Sequence, residues 1–163
     1  MNNYRPIALL PVLSKVFEKV LNEQITQVIE PNYIDENQFG FRKGFSTEDA
    51  ALKFVHQIQK DLNLKKHVVS VYVDVSKAFD SCDHNIIINK LKRTGLDTTG
   101  IQLMQSYLLN RKQSILVEGV HGGEFFINIG VGQGTILGPT LFKISYMVFL
   151  SARFSFFLCL HRR

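Results

Sequence analysis

An aspartate stands near the end of a long apolar and β-branched stretch of the chain. Residues 67–75 read HVVSVYVDV, a continuous rather than alternating run, which predicts a strand buried on both faces with Asp74 near its carboxyl end. A buried carboxylate is costly unless it is paired, so a divalent cation held by Asp74 and the backbone carbonyl of Val75 is one hypothesis. A structural acid that accepts backbone hydrogen bonds is the alternative, and the local pattern leaves both open.

A glycine-rich segment, GVGQGTILGP, occupies residues 130–139. It lacks the Gly-Lys-Ser/Thr ending of a P-loop, and its glycines do not fit the dinucleotide-binding fingerprint. Glycines do allow a ligand to approach the backbone closely, and Gln133 would then offer an uncharged donor and acceptor. A plain turn is the alternative.

Arginines on two loop-like segments could contact phosphate groups. Arg5 lies in YRPI, and Arg42 lies beside Lys43 in FGFRKG. A guanidinium group suits phosphate oxygens, although an exposed surface arginine is the common alternative.

The elements that must position these residues are a mixture of helices and strands. A hairpin is predicted from two strand-like runs around VHGGE, residues 120–124. The mixture lacks strict βαβ alternation, which favours an α+β fold. The predicted helices are residues 9–29 ending at Pro31, a helix begun by Ser46 and Asp49 as a capping box, a helix from Asp83 as N-cap to Gly95, and residues 101–109.

Composition narrows the class of protein. The 163 residues are 45% hydrophobic and 20% charged, as in a globular domain, and the net charge of +5 is compatible with a nucleic-acid partner. Cys82 and Cys159 form neither a metal-binding spacing nor a disulfide framework, which favours a reducing, intracellular compartment, and the N-terminus does not resemble a secretion signal. Lys143, Arg153 and Arg162 divide the apolar C-terminal run into pieces too short to span a membrane.

Four segments in order resemble the reverse transcriptases of non-LTR, LINE-type (jockey-like) retrotransposons, over roughly residues 2–145. The segments are NNYRPIALLPVLSKVFEKVL, DENQFGFRKGFSTEDAAL, VYVDVSKAFDSCDHNIIINKL and GVGQGTILGPTLF. The resemblance implies a right-hand polymerase fold with partial fingers and palm and no thumb. It assigns residues 1–67 to the fingers and 68–146 to the palm, with an inserted hairpin at 113–131, and leaves 147–163 as an unmatched tail that a frameshift would explain.

The resemblance also implies a reaction and its residues. In this family a primer 3′-hydroxyl attacks the α-phosphate of a deoxynucleoside triphosphate on an RNA template, with two Mg²⁺ ions assisting. Asp74 matches a metal-binding aspartate and Gln133 a glutamine that touches the incoming nucleotide. Phe79 matches the ring that excludes a 2′-hydroxyl, with core packing as its alternative. Arg5 and Arg42 resemble fingers residues near the triphosphate or template.

Two departures from the family pattern change the expectation. Gly132 stands where the family commonly has proline, which would loosen the backbone before Gln133. No acidic residue follows Glu124, so the paired-aspartate motif of the family is missing. We therefore expect an RNA-directed DNA polymerase fragment that is catalytically incomplete alone. The alternatives are a non-catalytic, basic nucleic-acid-binding remnant and an unstable pseudogene product.

Overall fold

A computed structural model of the chain describes residues 6–147. Five helices and four short strands follow one another along this part of the chain. They are α1 (Val12–Tyr33), α2 (Thr47–Asn63), α3 (His84–Lys92), α4 (Thr98–Leu108), β1 (Arg111–Gln113), β2 (Leu116–Val117), β3 (Val120–His121), β4 (Phe125–Ile127) and α5 (Gly138–Tyr146). This mixture of helices and small sheets agrees with the predicted α+β class.

The chain divides into two compact units. Of the described residues, the first unit contains 6–33 and 77–145, and the second contains 34–76 and 146–147. The core of the first unit is formed by side chains from four helices, which include Ile25, Ile29, Ile87, Leu91, Met104, Leu108, Leu141 and Ile144.

The helix caps follow from local sequence. The Ser46 hydroxyl accepts from the Asp49 amide at 3.1 Å and the Asp49 carboxylate accepts from the Ser46 amide at 2.8 Å, which confirms the predicted capping box. The Ser46 hydrogen bonds also lower the pKa of Asp49. Asp83 caps α3 by accepting from the amides of Asn85 and Ile86, and Gly95 follows the helix with a φ of +78°.

The hairpin has a different turn from the one predicted. β1 pairs with β4 and β2 pairs with β3, both antiparallel, so two short hairpins are nested. The tight turn lies at Glu118 and Gly119, whose φ values are +50° and +80°, rather than at residues 120–124. Two consecutive positive φ values produce the turn twist that two-residue hairpins favour, and Gly119 adopts such a value without strain.

The predicted buried strand at residues 67–75 is wrong. Residues 66–75 have no helix or strand, and the side chains of Val69 and Tyr72 are 86% and 82% exposed. A strand forms only with hydrogen-bonded neighbours, and neither of the two sheets in residues 6–147 includes this segment. Within the second unit, Tyr72 of this segment packs edge-to-face on Phe54 of α2, with ring centroids 6.0 Å apart.

Among residues 6–147, no helix is long and apolar enough to cross a membrane. The apolar tail belongs largely to residues 148–163, outside the described residues.

Candidate functional site

The turn at residues 77–83 follows Asp74 in the sequence. Within the first unit, this turn is hydrogen-bonded to the glycine-rich segment. The Val131 amide donates to the Phe79 carbonyl at 2.9 Å, and the Gly130 amide donates to the Cys82 carbonyl at 2.7 Å. A single antiparallel bridge joins Asp83 and Ile129. Two predicted site residues, Phe79 and Gln133, therefore lie on segments that are hydrogen-bonded to each other.

Gly130 permits this close approach. Its φ is +94°, and a Cβ atom at this position would lie 3.1 Å from both the Cα and the carbonyl oxygen of Asp80. Any other residue would be strained in conformation and crowded against backbone. The Gly130 carbonyl accepts from Nε2 of His84 at 2.7 Å, which ties this buried ring to the glycine-rich segment.

The Phe79 side chain is partly engaged in the core. Its ring stacks on the buried Phe142 ring with centroids 4.8 Å apart and planes 11° from parallel. The Phe79 side chain is half-buried. One face of the ring is thus packed against the core.

Gln133 lies on a turn, residues 132–137, that is tied to the N-terminal segment. The Ala8 amide donates to the Gln133 carbonyl at 2.8 Å, and a Cβ on Gly134 would lie 3.1 Å from Cγ2 of Ile7. The Gln133 side chain is half-buried. The backbone that presents the side-chain amide of Gln133 is therefore held on one side by Ile7 and Ala8.

The residue before Gln133 is closely packed. A Cβ at Gly132 would lie 2.6 Å from Cγ2 of Thr135 and 3.3 Å from Cβ of Ala8. The Thr135 hydroxyl donates to the Gly132 carbonyl at 2.9 Å and accepts from the Gly138 amide at 3.0 Å. These contacts restrict the turn, so the loosening expected from glycine in place of proline is opposed by packing.

Glu18 of α1 holds the same turn from another side, although no motif in the sequence pointed to this residue. Its carboxylate is 2% exposed and accepts from the Ile136 amide at 2.7 Å, the Leu137 amide at 3.4 Å and the Tyr107 hydroxyl at 2.5 Å. Burial, followed by the hydrogen bond to Glu18, raises the pKa of Tyr107. The helical spacing offered one signal for this role. Glu18 lies three residues before Leu21, so both residues fall on the buried face of α1.

Three further polar residues follow Glu18 along α1 at intervals of four. The Thr140 hydroxyl donates to Asn22 at 2.6 Å, and Lys143 forms an ion pair with Glu30. The remaining position is Thr26, whose hydroxyl is buried without a hydrogen-bond partner among the described residues. This row of polar contacts fixes the register of α1 against the turn and α5.

Arg42 lies in the second unit and braces its own loop. Its Nη1 donates to the carbonyls of Asp35 and Gln38, both at 3.2 Å, and its guanidinium carbon lies 4.3 Å from the centre of the Phe45 ring. The Phe45 ring in turn packs edge-on against Phe39 with centroids 5.7 Å apart. Hydrogen bonding and cation–π contact therefore give this side chain a structural role in residues 35–45.

Asp74 also lies in the second unit, and its side chain is exposed, as is that of Val75. No group of three or more His, Cys, Asp or Glu side chains able to hold a metal ion occurs within residues 6–147. A single exposed carboxylate and a carbonyl do not fit a pair of divalent ions, each of which takes about six oxygen ligands. The remaining predicted residue, Arg5, lies outside the described residues.

Comparison with known proteins gives consistent matches. A family model described as reverse transcriptase (RNA-dependent DNA polymerase) matches residues 1–154. The probable RNA-directed DNA polymerase from transposon X-element of Drosophila melanogaster is 36% identical over 86% of the chain and 15% of the relative. The RNA-directed DNA polymerase from mobile element jockey of Drosophila funebris is 34% identical over 88% of the chain and 16% of the relative. The chain thus spans about a sixth of the length of these curated relatives.

Proposed function

Because the chain belongs to the reverse transcriptase (RNA-dependent DNA polymerase) family, we propose that it contributes substrate-binding surface to the RNA-directed DNA polymerase of a non-LTR retrotransposon. Its partners are then an RNA template, a DNA primer and deoxynucleoside triphosphates. We propose that it acts inside the cell. The reaction it serves is attack of the primer 3′-hydroxyl on the α-phosphate, with pyrophosphate as the leaving group.

The observation that carries this proposal is the hydrogen bond between Val131 and Phe79. It joins the two segments that carry Phe79 and Gln133. Phe79 is proposed to contact the sugar of the incoming nucleotide, and Gln133 is proposed to touch the same nucleotide. Phe79 offers an apolar edge, and its ring is stacked on that of Phe142. Gln133 offers an amide donor and acceptor on a backbone that is anchored to Ala8.

Arg5 and Arg42 are assigned to the triphosphate or the template. The hydrogen bonds from Arg42 to loop carbonyls favour an indirect contribution, through the shape of residues 35–45. Residues 1–67 are proposed as the fingers portion and residues 68–146 as the palm portion of the polymerase, with the hairpin at 113–131 as an insertion.

The chain by itself is proposed to bind substrates without joining them. Members of this family work with divalent metal ions, and Asp74 with the Val75 carbonyl is the proposed contribution of this chain to that site. Its exposed carboxylate belongs to no group of three or more metal-binding side chains within residues 6–147, and the 163 residues contain no acidic residue after Glu124. Further carboxylates would have to be supplied for turnover.

Primer extension on an RNA template, with Mg²⁺ and the purified folded chain, tests this last point. We expect no incorporation of labelled dTTP by the wild-type chain. Incorporation that is lost in Asp74→Ala would contradict catalytic incompleteness and would support the assignment of Asp74.

Equilibrium binding of dTTP in the presence of an RNA–DNA primer–template tests the substrate role. Gln133→Ala is expected to weaken binding about tenfold, the effect of losing hydrogen bonds worth roughly 1–2 kcal/mol. Gln102→Ala is the matched control, because Gln102 is exposed on α4. No binding of dTTP by a chain that is folded by circular dichroism would refute the nucleotide role.

A nucleic-acid-binding module without nucleotide selection is the second candidate, favoured by the net charge of +5. It predicts RNA binding that weakens with salt, together with indifference to dTTP and to substitution of Gln133.

A further inference from the structure

We propose that Glu18 is a positioning residue, which sets the conformation of residues 132–137 and thereby the presentation of Gln133 to a deoxynucleoside triphosphate. This inference rests on the proposed function of Gln133 as a nucleotide contact. Glu18 itself is not assigned a contact with the substrate.

The contacts of Glu18 reach the turn from its C-terminal side. One carboxylate oxygen accepts from the amides of Ile136 and Leu137, and the other accepts from the Tyr107 hydroxyl. On its N-terminal side, the turn is held by the hydrogen bond from Ala8 to the Gln133 carbonyl. Gln133 is therefore fixed between two anchors, and Glu18 is the one provided by a helix.

A carboxylate suits this position because three donors converge on it. Ionised glutamate is an acceptor only and can accept several hydrogen bonds, and bonds to a charged acceptor are stronger than neutral ones. Glu18 is also nearly buried, so removal of its carboxylate takes an acceptor away from donors that have little contact with solvent. Loss of the carboxylate would leave the Ile136 amide and the Tyr107 hydroxyl without this acceptor.

The row of polar contacts along α1 supplies a matched control. Asn22 lies one helical turn after Glu18 and accepts from the Thr140 hydroxyl, a contact with α5 rather than with residues 132–137. A change at Asn22 disturbs the packing of α1 on α5 in a similar place, while leaving the two amide contacts of Glu18 intact.

The experiment compares Glu18→Leu, Glu18→Gln and Asn22→Leu in the complete chain. Amide hydrogen exchange is measured at Ile136 and Leu137, and dTTP binding is measured with an RNA–DNA primer–template. Glu18→Leu is expected to accelerate exchange at these amides and to weaken dTTP binding, each by about tenfold. Glu18→Gln keeps one oxygen for the amides, so it is expected to restore most of both properties.

Asn22→Leu is expected to leave both readouts within about twofold of wild type, since it removes no contact with the turn. Equal effects of Glu18→Leu and Asn22→Leu on exchange and binding would overturn the inference, because a general loss of packing would then explain both. Unchanged dTTP binding in Glu18→Leu, despite accelerated exchange, would also overturn it while leaving the function of Gln133 intact. Absence of dTTP binding by the wild-type chain would instead refute the proposed function, and with it the role of Glu18 toward nucleotide.

Discussion

The amide of Val131 donates to the carbonyl of Phe79 across 2.9 Å, although the two residues are far apart in the sequence. This bond, with the neighbouring one from Gly130 to Cys82, holds the turn at residues 77–83 against the glycine-rich segment. A chain that keeps these two segments together can present Phe79 and Gln133 as parts of a single surface.

Gly130 is the residue on which this pairing depends most directly. Gly130→Ala is expected to lower the free energy of unfolding by about 1–3 kcal/mol, because alanine is strained at a φ of +94° and its methyl group would crowd the Asp80 backbone. Urea denaturation monitored by circular dichroism measures the change. Gly123→Ala is the control, since a Cβ there meets no atom within 4 Å. Equal destabilisation by both substitutions would contradict this account of Gly130.

The buried ion pair between Glu30 and Lys143 is expected to contribute more to the free energy of unfolding than an exposed ion pair does. The Lys143 side chain is only 3% exposed, so Glu30→Gln leaves a buried ammonium without its carboxylate and should cost about 2–4 kcal/mol of unfolding free energy. The exposed pair of Lys112 and Glu124 provides the comparison, and Glu124→Gln should cost under about 0.5 kcal/mol. The denaturant midpoints of the two variants measure these changes. A Glu30→Gln chain that is as stable as the wild-type chain would contradict the prediction.

Cys82 is expected to be unreactive in the folded chain. Burial raises the pKa of its thiol to about 11, and its Sγ lies 3.4 Å from the carbonyl of Ala78. Since only the thiolate reacts, modification by a disulfide reagent at pH 8 should be at least about 100-fold slower in the native chain than in urea.

The alkylation rate of folded Cys82 should continue to rise above about pH 10, where an ordinary thiol with a pKa of about 8.5 is almost fully ionised and its rate has levelled off. A Cys159→Ser background makes Cys82 the single reporter, because the chain contains two cysteines. Rapid modification at neutral pH under native conditions would show that this thiol is accessible and would contradict its place in the core.

Arg42 is expected to act on its loop. Arg42→Lys keeps the charge but loses the planar group that reaches two carbonyls and the Phe45 ring, so it should destabilise the chain by about 1 kcal/mol. Lys43→Ala, on the exposed neighbouring residue, is the control. If both substitutions leave unfolding unchanged while Arg42→Lys alone weakens RNA binding, direct contact with nucleic acid is the better explanation.

Local signals in the sequence predicted local structure well. The capping box of Ser46 and Asp49 and the N-cap of Asp83 depend on residues within three positions of each other, and both are present. The strand predicted at residues 67–75 failed, because β-branched composition is not sufficient without neighbouring strands. The turn at Glu118 was missed, since this residue adopts a positive φ that its type rarely favours.

The candidate site was only partly predictable for a related reason. Phe79 and Gln133 stand in recognisable motifs, whereas their connection through Val131 is a long-range backbone contact that no spacing reveals. Glu18 was hidden because its neighbours Phe17 and Val20, which are half-exposed, follow the helical spacing expected of core residues. A charged residue on the buried face signals a polar contact, but the donors that it meets come from distant parts of the chain.

The most direct test of the central claim is to map where a photoreactive deoxynucleoside triphosphate crosslinks to the complete chain. With an RNA–DNA primer–template present, peptide mass spectrometry should locate the crosslinks in residues 77–83 and 129–137, and unlabelled dTTP should suppress them. Crosslinks that are scattered over surface lysines, or that persist with excess dTTP, would contradict the claim that these paired segments receive the nucleotide.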